Sequence, residues 1–165
     1  MTKAWNPWKI EERLNRGACK MEERKSIPVI IKVKTEVFQE NELKEFFMEE
    51  EGQIVRIGEV LYIRYNEQLE GVDNKVSVTM KILADGSVQL IRAGDVRMKL
   101  KFDYQKHNET HYQTSFGTMW ITTFTNNMRV SLKDRPYSGQ VTIDYDLFGG
   151  DEKIGVYHLE LNFTA

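Results

Sequence analysis

Arg92 is the residue whose type and position point most clearly to chemistry. Val88 and Leu90 alternate with Gln89 ahead of it, so Arg92 falls on the face of a strand that should be buried. A guanidinium group on an apolar face is costly unless it is paired. Arg92 could bind the carboxylate of a fatty-acid-like or other acidic ligand through its planar donor fork. The more economical interpretation is that it bonds a protein carboxylate or carbonyl at a strand end.

Three tyrosines could add hydroxyl groups to a pocket around Arg92. We predict ligand-binding roles for Arg92, Tyr62, Tyr112 and Tyr145. The competing interpretation is that these aromatic rings pack in a core and satisfy their hydroxyls locally, which is the commoner role of buried tyrosine.

A second group of polar residues combines carboxylates with one imidazole. Asp144 and Asp146 share one face of a strand, about 7 Å apart. A hairpin at Gly149-Gly150 would set His158 opposite one of them, with Glu160 nearby. These ligands would suit a divalent ion. Their face is opposite the apolar one, so we interpret them as charge pairs on a solvated surface and predict no metal or cofactor.

His107 and His111 flank a polar segment, residues 105–110, which we interpret as a loop without a helical pattern. In a loop their spacing gives no shared face. The sequence contains no His-Glu-x-x-His, Cys-x-x-Cys or phosphate-loop pattern, and no serine in a nucleophile-elbow context. We therefore predict no catalytic residues.

A basic row could contact phosphate groups, and nearby aromatic residues could stack on nucleic-acid bases. The residues concerned are Arg97, Lys99, Lys101, Trp120 and Phe124. A solvated outer face explains the row more simply, and the net charge of −2 argues against strong nucleic-acid binding.

The strands that position Arg92 lie between Val76 and Phe102. A three-residue turn at Gly86 pairs Leu83 with Ser87 and keeps the apolar residues on one face, whereas a two-residue turn would split them. The same argument at Gly94 pairs Arg92 with Val96 and Leu90 with Met98. It places Arg92 between Val78 and Val96 on the inner face.

The rest of the chain from Pro28 onward is predicted to form ten or eleven strands and no helix. We expect a bulge at Gly52 and a tight turn at Asn126-Asn127. Short turns between successive antiparallel strands favour a closed meander barrel over a two-sheet sandwich, because closure removes exposed edges. Such a barrel is either filled by side chains or able to hold one small ligand.

Composition limits the class of protein. Its 165 residues suggest one domain, and 23 basic against 25 acidic residues predict no general attraction to DNA or anionic membranes. No apolar run approaches the ~20 residues of a membrane span, and there is no signal-peptide pattern. A single cysteine, Cys19, fits the reducing cytoplasm, which is the predicted location.

Residues 1–27 form a leader that differs from the barrel domain at 28–165. Met1–Lys20 contains five basic and two acidic residues, a net charge of +3. Glu11–Lys25 could form a short charged helix, or the leader could be disordered. Because Arg16-Gly17-Ala18 can be encoded by a purine run like a ribosome-binding site, Met21 is an alternative start.

Four segments resemble the uncharacterised bacterial β-barrel proteins of the YwiB type, which are classed as calycin-like or lipocalin-like. The segments are Val33-Lys34-Thr35, Arg92-x-Gly94-x-Val96-x-Met98, Tyr112-x-x-Ser115-Phe116-Gly117 and Ile143-Asp144-Tyr145-Asp146. The resemblance implies a closed or nearly closed antiparallel barrel. It implies no activity and assigns no catalytic residue.

Two functions follow from these expectations. The first is non-catalytic binding of a small apolar or acidic molecule inside the barrel, and it requires a cavity on the order of 300 Å³. The alternative is an interaction barrel that binds protein or RNA through its outer surface and holds no internal ligand.

Overall fold

The alternation of apolar and polar residues produces ten strands in the computed structural model, which describes residues 26–68, 73–94, 97–114, 116–134 and 137–165. Within these ranges there is no helix, and hence none that could span a membrane. The strands are β1 Ser26–Gln39, β2 Glu42–Ile57, β3 Val60–Glu67, β4 Val76–Ile82, β5 Val88–Ala93, β6 Arg97–Phe102, β7 His107–Thr114, β8 Gly117–Asp134, β9 Tyr137–Gly149 and β10 Glu152–Thr164.

The strands form a closed antiparallel barrel in which each strand pairs with its neighbours in sequence. Closure comes from β1 and β10, which pair from Ile30 with Thr164 to Phe38 with Val156. The prediction of an all-β meander barrel is confirmed. The leader lies outside the described residues up to position 25, so the expectations for it, for Cys19 and for a start at Met21 remain predictions.

The hairpin between β4 and β5 has the predicted register. Ile82 pairs with Val88 and Met80 with Leu90. Leu83 N–H donates to the Ser87 carbonyl at 2.9 Å. Gly86 has a φ of +92°, a conformation that glycine adopts readily. The apolar pattern was sufficient here because a slip of one residue would have turned every side chain to the other face.

The predicted register of the next hairpin is wrong by two residues. Arg92 pairs with Met98 instead of Val96, and Leu90 pairs with Leu100 instead of Met98. A slip of two residues keeps each side chain on its original face, so the apolar pattern cannot distinguish the two registers. Arg92 still faces inward beside Val78. Val96 lies outside the described residues.

Two further predictions along the chain are wrong. Asn126-Asn127 is not a turn but a bulge within the continuous strand β8, where the register with β9 shifts between Thr125 and Asn127. The Asn126 carbonyl accepts a hydrogen bond from the Gln105 side chain at 2.8 Å. The loop predicted at residues 105–110 is shorter than expected, because β7 begins at His107 and pairs with β8.

Gly52 permits a close approach of strands and is not a bulge. The β1–β2 register runs through it without a shift. A Cβ atom at this position would lie 2.4 Å from the Arg64 carbonyl oxygen and 2.3 Å from Ile31 Cδ1. Only glycine therefore lets the backbones of β2 and β3 come together where the two strands begin to separate.

The middle of the barrel is filled by the inward-facing side chains. Ile31, Met80 and Phe102 have no accessible surface, and Leu61 only 1 %. A side chain with no accessible surface borders no space that a water molecule could enter, so these residues line no water-filled cavity. The strand faces that were expected to surround a ligand pack instead against each other.

Candidate functional site

Arg92 lies at the end of β5 and is paired with Glu67 at the end of β3. Arg92 Nε donates to Glu67 Oε2 at 2.9 Å, and the two side chains are 21 % and 13 % exposed. Both residues face inward because β3, β4 and β5 pair in a register that aligns Tyr65, Val78 and Arg92. This geometry agrees with the simpler interpretation of Arg92, in which it bonds a protein carboxylate at a strand end.

Tyrosines surround the pair. Tyr65 and Tyr145 are 6 % and 5 % exposed, while Tyr112 and Tyr157 are half-buried. The rings of Tyr145 and Tyr157 stack with centroids 5.0 Å apart and an interplanar angle of 10°. Among the described residues, none forms a hydrogen bond with these four hydroxyls or with the terminal amino groups of Arg92. Within the described part of the chain, this end of the barrel therefore combines a partly buried charge pair with tyrosine hydroxyls that have no hydrogen-bond partner.

Burial and charge act in opposite directions on the ionisable groups of this cluster. Burial lowers the pKa of Arg92, but the charge of Glu67 and its hydrogen bond outweigh that effect and raise the pKa overall. Burial raises the pKa of Tyr65, as does the negative charge of Glu67. Burial also raises the pKa of Tyr145, against the opposing charge of Arg92. Both phenols are thus neutral donors at physiological pH.

The raised pKa values of Tyr65 and Tyr145 predict a loss of stability in alkali. The unfolded chain loses these phenolic protons above pH ~10 and the folded chain retains them, so unfolding is increasingly favoured as pH rises. We expect a loss of about 1 kcal/mol per tyrosine for each pH unit above 10. Urea unfolding between pH 8 and 11.5 measures it.

Substitution isolates the contribution of the buried phenols. The slope above pH 10 should be reduced in Tyr65→Phe/Tyr145→Phe and unchanged in Tyr104→Phe, whose ring is 59 % exposed. An identical slope in the double variant and the wild type would contradict the assignment.

The structure brings together three of the four predicted ligand-binding residues. Arg92 and Tyr112 lie in one row across β5, β6 and β7, and the charges of Arg92 and Tyr145 influence one another. Tyr62 lies elsewhere, on the outer face of β3. Its ring is 5.7 Å from Arg64 Cζ and 5.3 Å from Lys81 Nζ. Tyr62 is not part of the Arg92 cluster.

Sequence reasoning missed four inward-facing residues. Tyr65, Glu67 and Tyr157 belong to the Arg92 cluster, and the alternation of Leu61 and Ile63 extended by two periods would have placed Tyr65 and Glu67 on the inner face. Arg56, 7 % exposed, is a second inward arginine, paired in register with core Leu61. Burial lowers the pKa of Arg56, and the charge of Glu59 opposes that effect.

The carboxylates of β9 form separate surface pairs. His158 pairs with Asp144 as predicted, and the two side chains are 36 % and 41 % exposed. Lys153 Nζ lies 3.3 Å from Asp146 Oδ2. Across the described residues, no three potential metal ligands from His, Cys, Asp and Glu come together. These contacts match the predicted cross-strand charge pairs on a solvent-exposed face.

His107 and His111 share the outer face of β7, contrary to the prediction that their spacing gives no common face. Residues two and four apart on a strand point the same way. The ring of His107 lies 4.6 Å from that of Phe124, and His111 lies 3.6 Å from Trp120. Phe124 and Trp120, the two aromatic residues considered for base stacking, are therefore already in contact with histidine rings.

Two open depressions lie on the outer surface and neither is lined by Arg92. One, of about 460 Å³, runs along Gly52, Arg64 and their neighbours. The other, of about 560 Å³, lies beside Trp120 and Phe148. The first depression is also lined by Tyr65 of the Arg92 cluster and so adjoins that cluster, whereas none of the cluster residues lines the second.

Comparison with known proteins identifies relatives. Residues 31–161 match the model of a family described as "Domain of unknown function (DUF1934)". The "Uncharacterized beta-barrel protein YwiB" of Bacillus subtilis is 26 % identical over 105 residues, which cover 64 % of this chain and 70 % of that protein.

One solved structure shows the same fold. The crystal structure of the Bacillus subtilis protein ywiB matches with a TM-score of 0.75 and 21 % identity, over 85 % of this chain and 92 % of that one. A Bacteroides ovatus structure of unknown function covers 84 % of this chain and 41 % of its own at 9 % identity. Its TM-score of 0.35 is too low to indicate a shared fold.

Proposed function

Because the chain belongs to the DUF1934 family, to which no activity is attached, we propose a function from geometry: non-catalytic binding of a small carboxylate-bearing molecule at the Arg92 end of the barrel. One observation carries the proposal. Among the described residues Arg92 bonds Glu67 through Nε alone, which leaves its two terminal amino groups to form a bidentate pair with a carboxylate. We place this binding protein in the cytoplasm.

Packing of the barrel middle determines where such a ligand would bind. Ile31, Met80 and Phe102 leave no accessible space there, whereas Arg92, Tyr112 and Tyr157 keep some exposure at the end. A ligand would therefore seat its carboxylate against Arg92 and rest an apolar body on the half-buried rings. This differs from the enclosed cavity expected from the sequence.

Charge limits the ligand to a monoanion. Glu67 already neutralises one unit of charge beside Arg92, so a dianion would meet repulsion in a poorly solvated site. The tyrosine hydroxyls can donate to carboxylate oxygens because phenols are protonated at neutral pH. The cluster contains no activated nucleophile with a neighbouring base, which supports binding without chemistry.

A matched pair of ligands tests the proposal. Native mass spectrometry of freshly purified protein identifies any retained acid. Octanoate should then raise Tm by several degrees at saturating concentration, because a ligand at 100 times its Kd adds about 2.7 kcal/mol. Octanol has the same apolar chain and no charge, and should have little effect. Equal shifts with both would contradict a role for Arg92.

Variants connect the effect to the site. Arg92→Met/Glu67→Gln removes both charges together, so no unpaired charge is left buried. This variant should lose the octanoate response, and Tyr62→Phe, on the outer face, should keep it. Retention of the response by the double variant would place binding elsewhere.

A second function, interaction with protein through the outer surface, is favoured by Phe46 and Phe47. These side chains are 51 % and 70 % exposed on neighbouring positions of β2. The strand around them is acidic, which favours a protein partner over RNA. The basic row Arg97, Lys99 and Lys101 lies on a different strand, β6.

A further inference from the structure

The first half of β2 is a sheet edge within an otherwise closed barrel. β2 pairs with β1 along its whole described length from Glu42 to Val55, but with β3 only from Gln53 to Ile57. In an antiparallel pair, alternate residues turn both backbone polar groups away from the partner strand. Every second residue of Glu42–Gly52 therefore offers an N–H and a carbonyl group that neither neighbouring strand pairs.

Both faces of this edge are exposed. Leu43 and Phe47 point outward and are 61 % and 70 % exposed, while Phe46, on the side that continues the inner face, is 51 % exposed. A strand buried on one face would hide one of these two sets. Long apolar edges usually attract a further strand unless charges or covering segments prevent it.

The edge carries a defined charge pattern. Glu42–Glu51 contains five glutamates and one lysine, a net charge of −4. Glu45 is paired with Lys34 at 3.7 Å and Glu50 with Lys75 at 3.1 Å. Along the outward face, apolar Leu43 and Phe47 alternate with Glu45 and Glu49. A complementary strand would place a basic residue opposite each of these two glutamates and an apolar one between them.

A second copy of the chain does not fit this pattern. Twofold antiparallel pairing continues each face of the sheet, so residues of the same face oppose each other. Centring the pair on Phe46 sets Glu42 against Glu50, and centring it one residue further sets Glu45 against Glu49. Like charges directly opposite one another destabilise a sheet.

We propose that Glu42–Gly52 binds an extended segment of another protein as an added β-strand, with basic residues at positions i and i+4 and an apolar residue at i+2. Backbone hydrogen bonds supply affinity and the alternating side chains supply specificity. The inference deepens the second function given above, and it is independent of carboxylate binding at Arg92.

A synthetic peptide tests the proposal on the full chain. The probe is an extended ten-residue peptide of valine and threonine, with lysines at i and i+4 and phenylalanine at i+2. Its control is the same peptide N-methylated at alternate residues, which keeps the charge and removes the N–H donors. We expect the control to bind at least tenfold more weakly by isothermal titration calorimetry.

Variants identify the edge as the binding site. Glu45→Lys/Glu49→Lys should weaken the peptide at least tenfold, while Glu109→Lys/Asp134→Lys, with the same change of charge at exposed positions of β7 and β8, should retain binding. Hydrogen exchange of the alternate amides of Glu42–Gly52 that point away from β1 should slow only when the peptide is present.

Three results would overturn the proposal. Equal binding of the N-methylated peptide would mean charge attraction without strand addition. Protection without peptide of the amides that point away from β1 would mean that the chain's own basic residues 1–20 already cover the edge. A dimer that Glu45→Lys/Glu49→Lys dissociates would make the occupant a second copy. None of these three results affects the octanoate test of binding at Arg92.

Discussion

Phe102→Ala is expected to lower the free energy of unfolding by about 3–5 kcal/mol, the largest effect of any single substitution considered for this protein. Phe102 has no accessible surface, and its ring centroid lies 4.7 Å from that of Tyr145. Truncation loses the transfer free energy of the ring and leaves a cavity that a closed barrel can collapse only in part. Because domains of this size have a total stability of about 5–15 kcal/mol, this is a large fraction.

Urea unfolding of three proteins measures the effect. Phe102→Leu keeps most of the volume and should cost less than Phe102→Ala. Phe47→Ala removes the same number of atoms from a ring that is 70 % exposed, and it should change stability by no more than about 0.5 kcal/mol. Similar losses for Phe102→Ala and Phe47→Ala would contradict the assignment of Phe102 to a packed interior.

Removal of one member of the Arg92–Glu67 pair should destabilise the protein by about 2–4 kcal/mol, somewhat below the usual cost for a fully buried pair because both side chains retain some exposure. Glu67→Gln leaves a guanidinium without its counter-charge, and Arg92→Met leaves a carboxylate. The double variant leaves neither charge, so it should be more stable than the sum of the two losses predicts.

A double-mutant cycle in urea measures the coupling between Arg92 and Glu67. We expect a coupling free energy of about 1–3 kcal/mol, with the sign that makes the double variant more stable than the sum of the two single losses predicts. Additive losses would show that the two residues act independently, and the 2.9 Å contact would then contribute nothing to folding.

The apolar pattern predicted which residues face inward better than it predicted which residues oppose each other. At Gly86 the one-residue alternative moved apolar side chains to solvent, so the pattern decided the register. At Gly94 the alternative differed by two residues and preserved every face, so nothing in the pattern opposed it. Arg92 was placed on the correct face with the wrong partner, Val96 in place of Met98.

Polar strands and bulges were predicted least well. The segment from His107 to Thr110 has no apolar residue, so it resembled a loop. Asn126-Asn127 has the composition of a turn, but pairing with β9 continues through it as a bulge. In both places tertiary pairing overrides local preference.

The site was predicted in part for a related reason. Arg92 and Tyr145 were found because each stands out on a recognisable face. Glu67 was missed because no prediction extended the alternation of Leu61 and Ile63 as far as position 67. Its contact with Arg92 depends on the alignment of β3, β4 and β5, which local sequence does not specify.

The pairing of β1 with β10 also determines when the barrel can close during translation. Every strand can pair with a neighbour made immediately before or after it, but β1 also pairs with β10, so this second edge of β1 must wait while all the intervening strands are translated. Domains generally fold as units during synthesis, and contacts distant in sequence form slowly. Until β10 emerges, Val29, Ile31 and Val33 lack half of their cover, and the nascent chain carries an apolar strand with one unsatisfied edge.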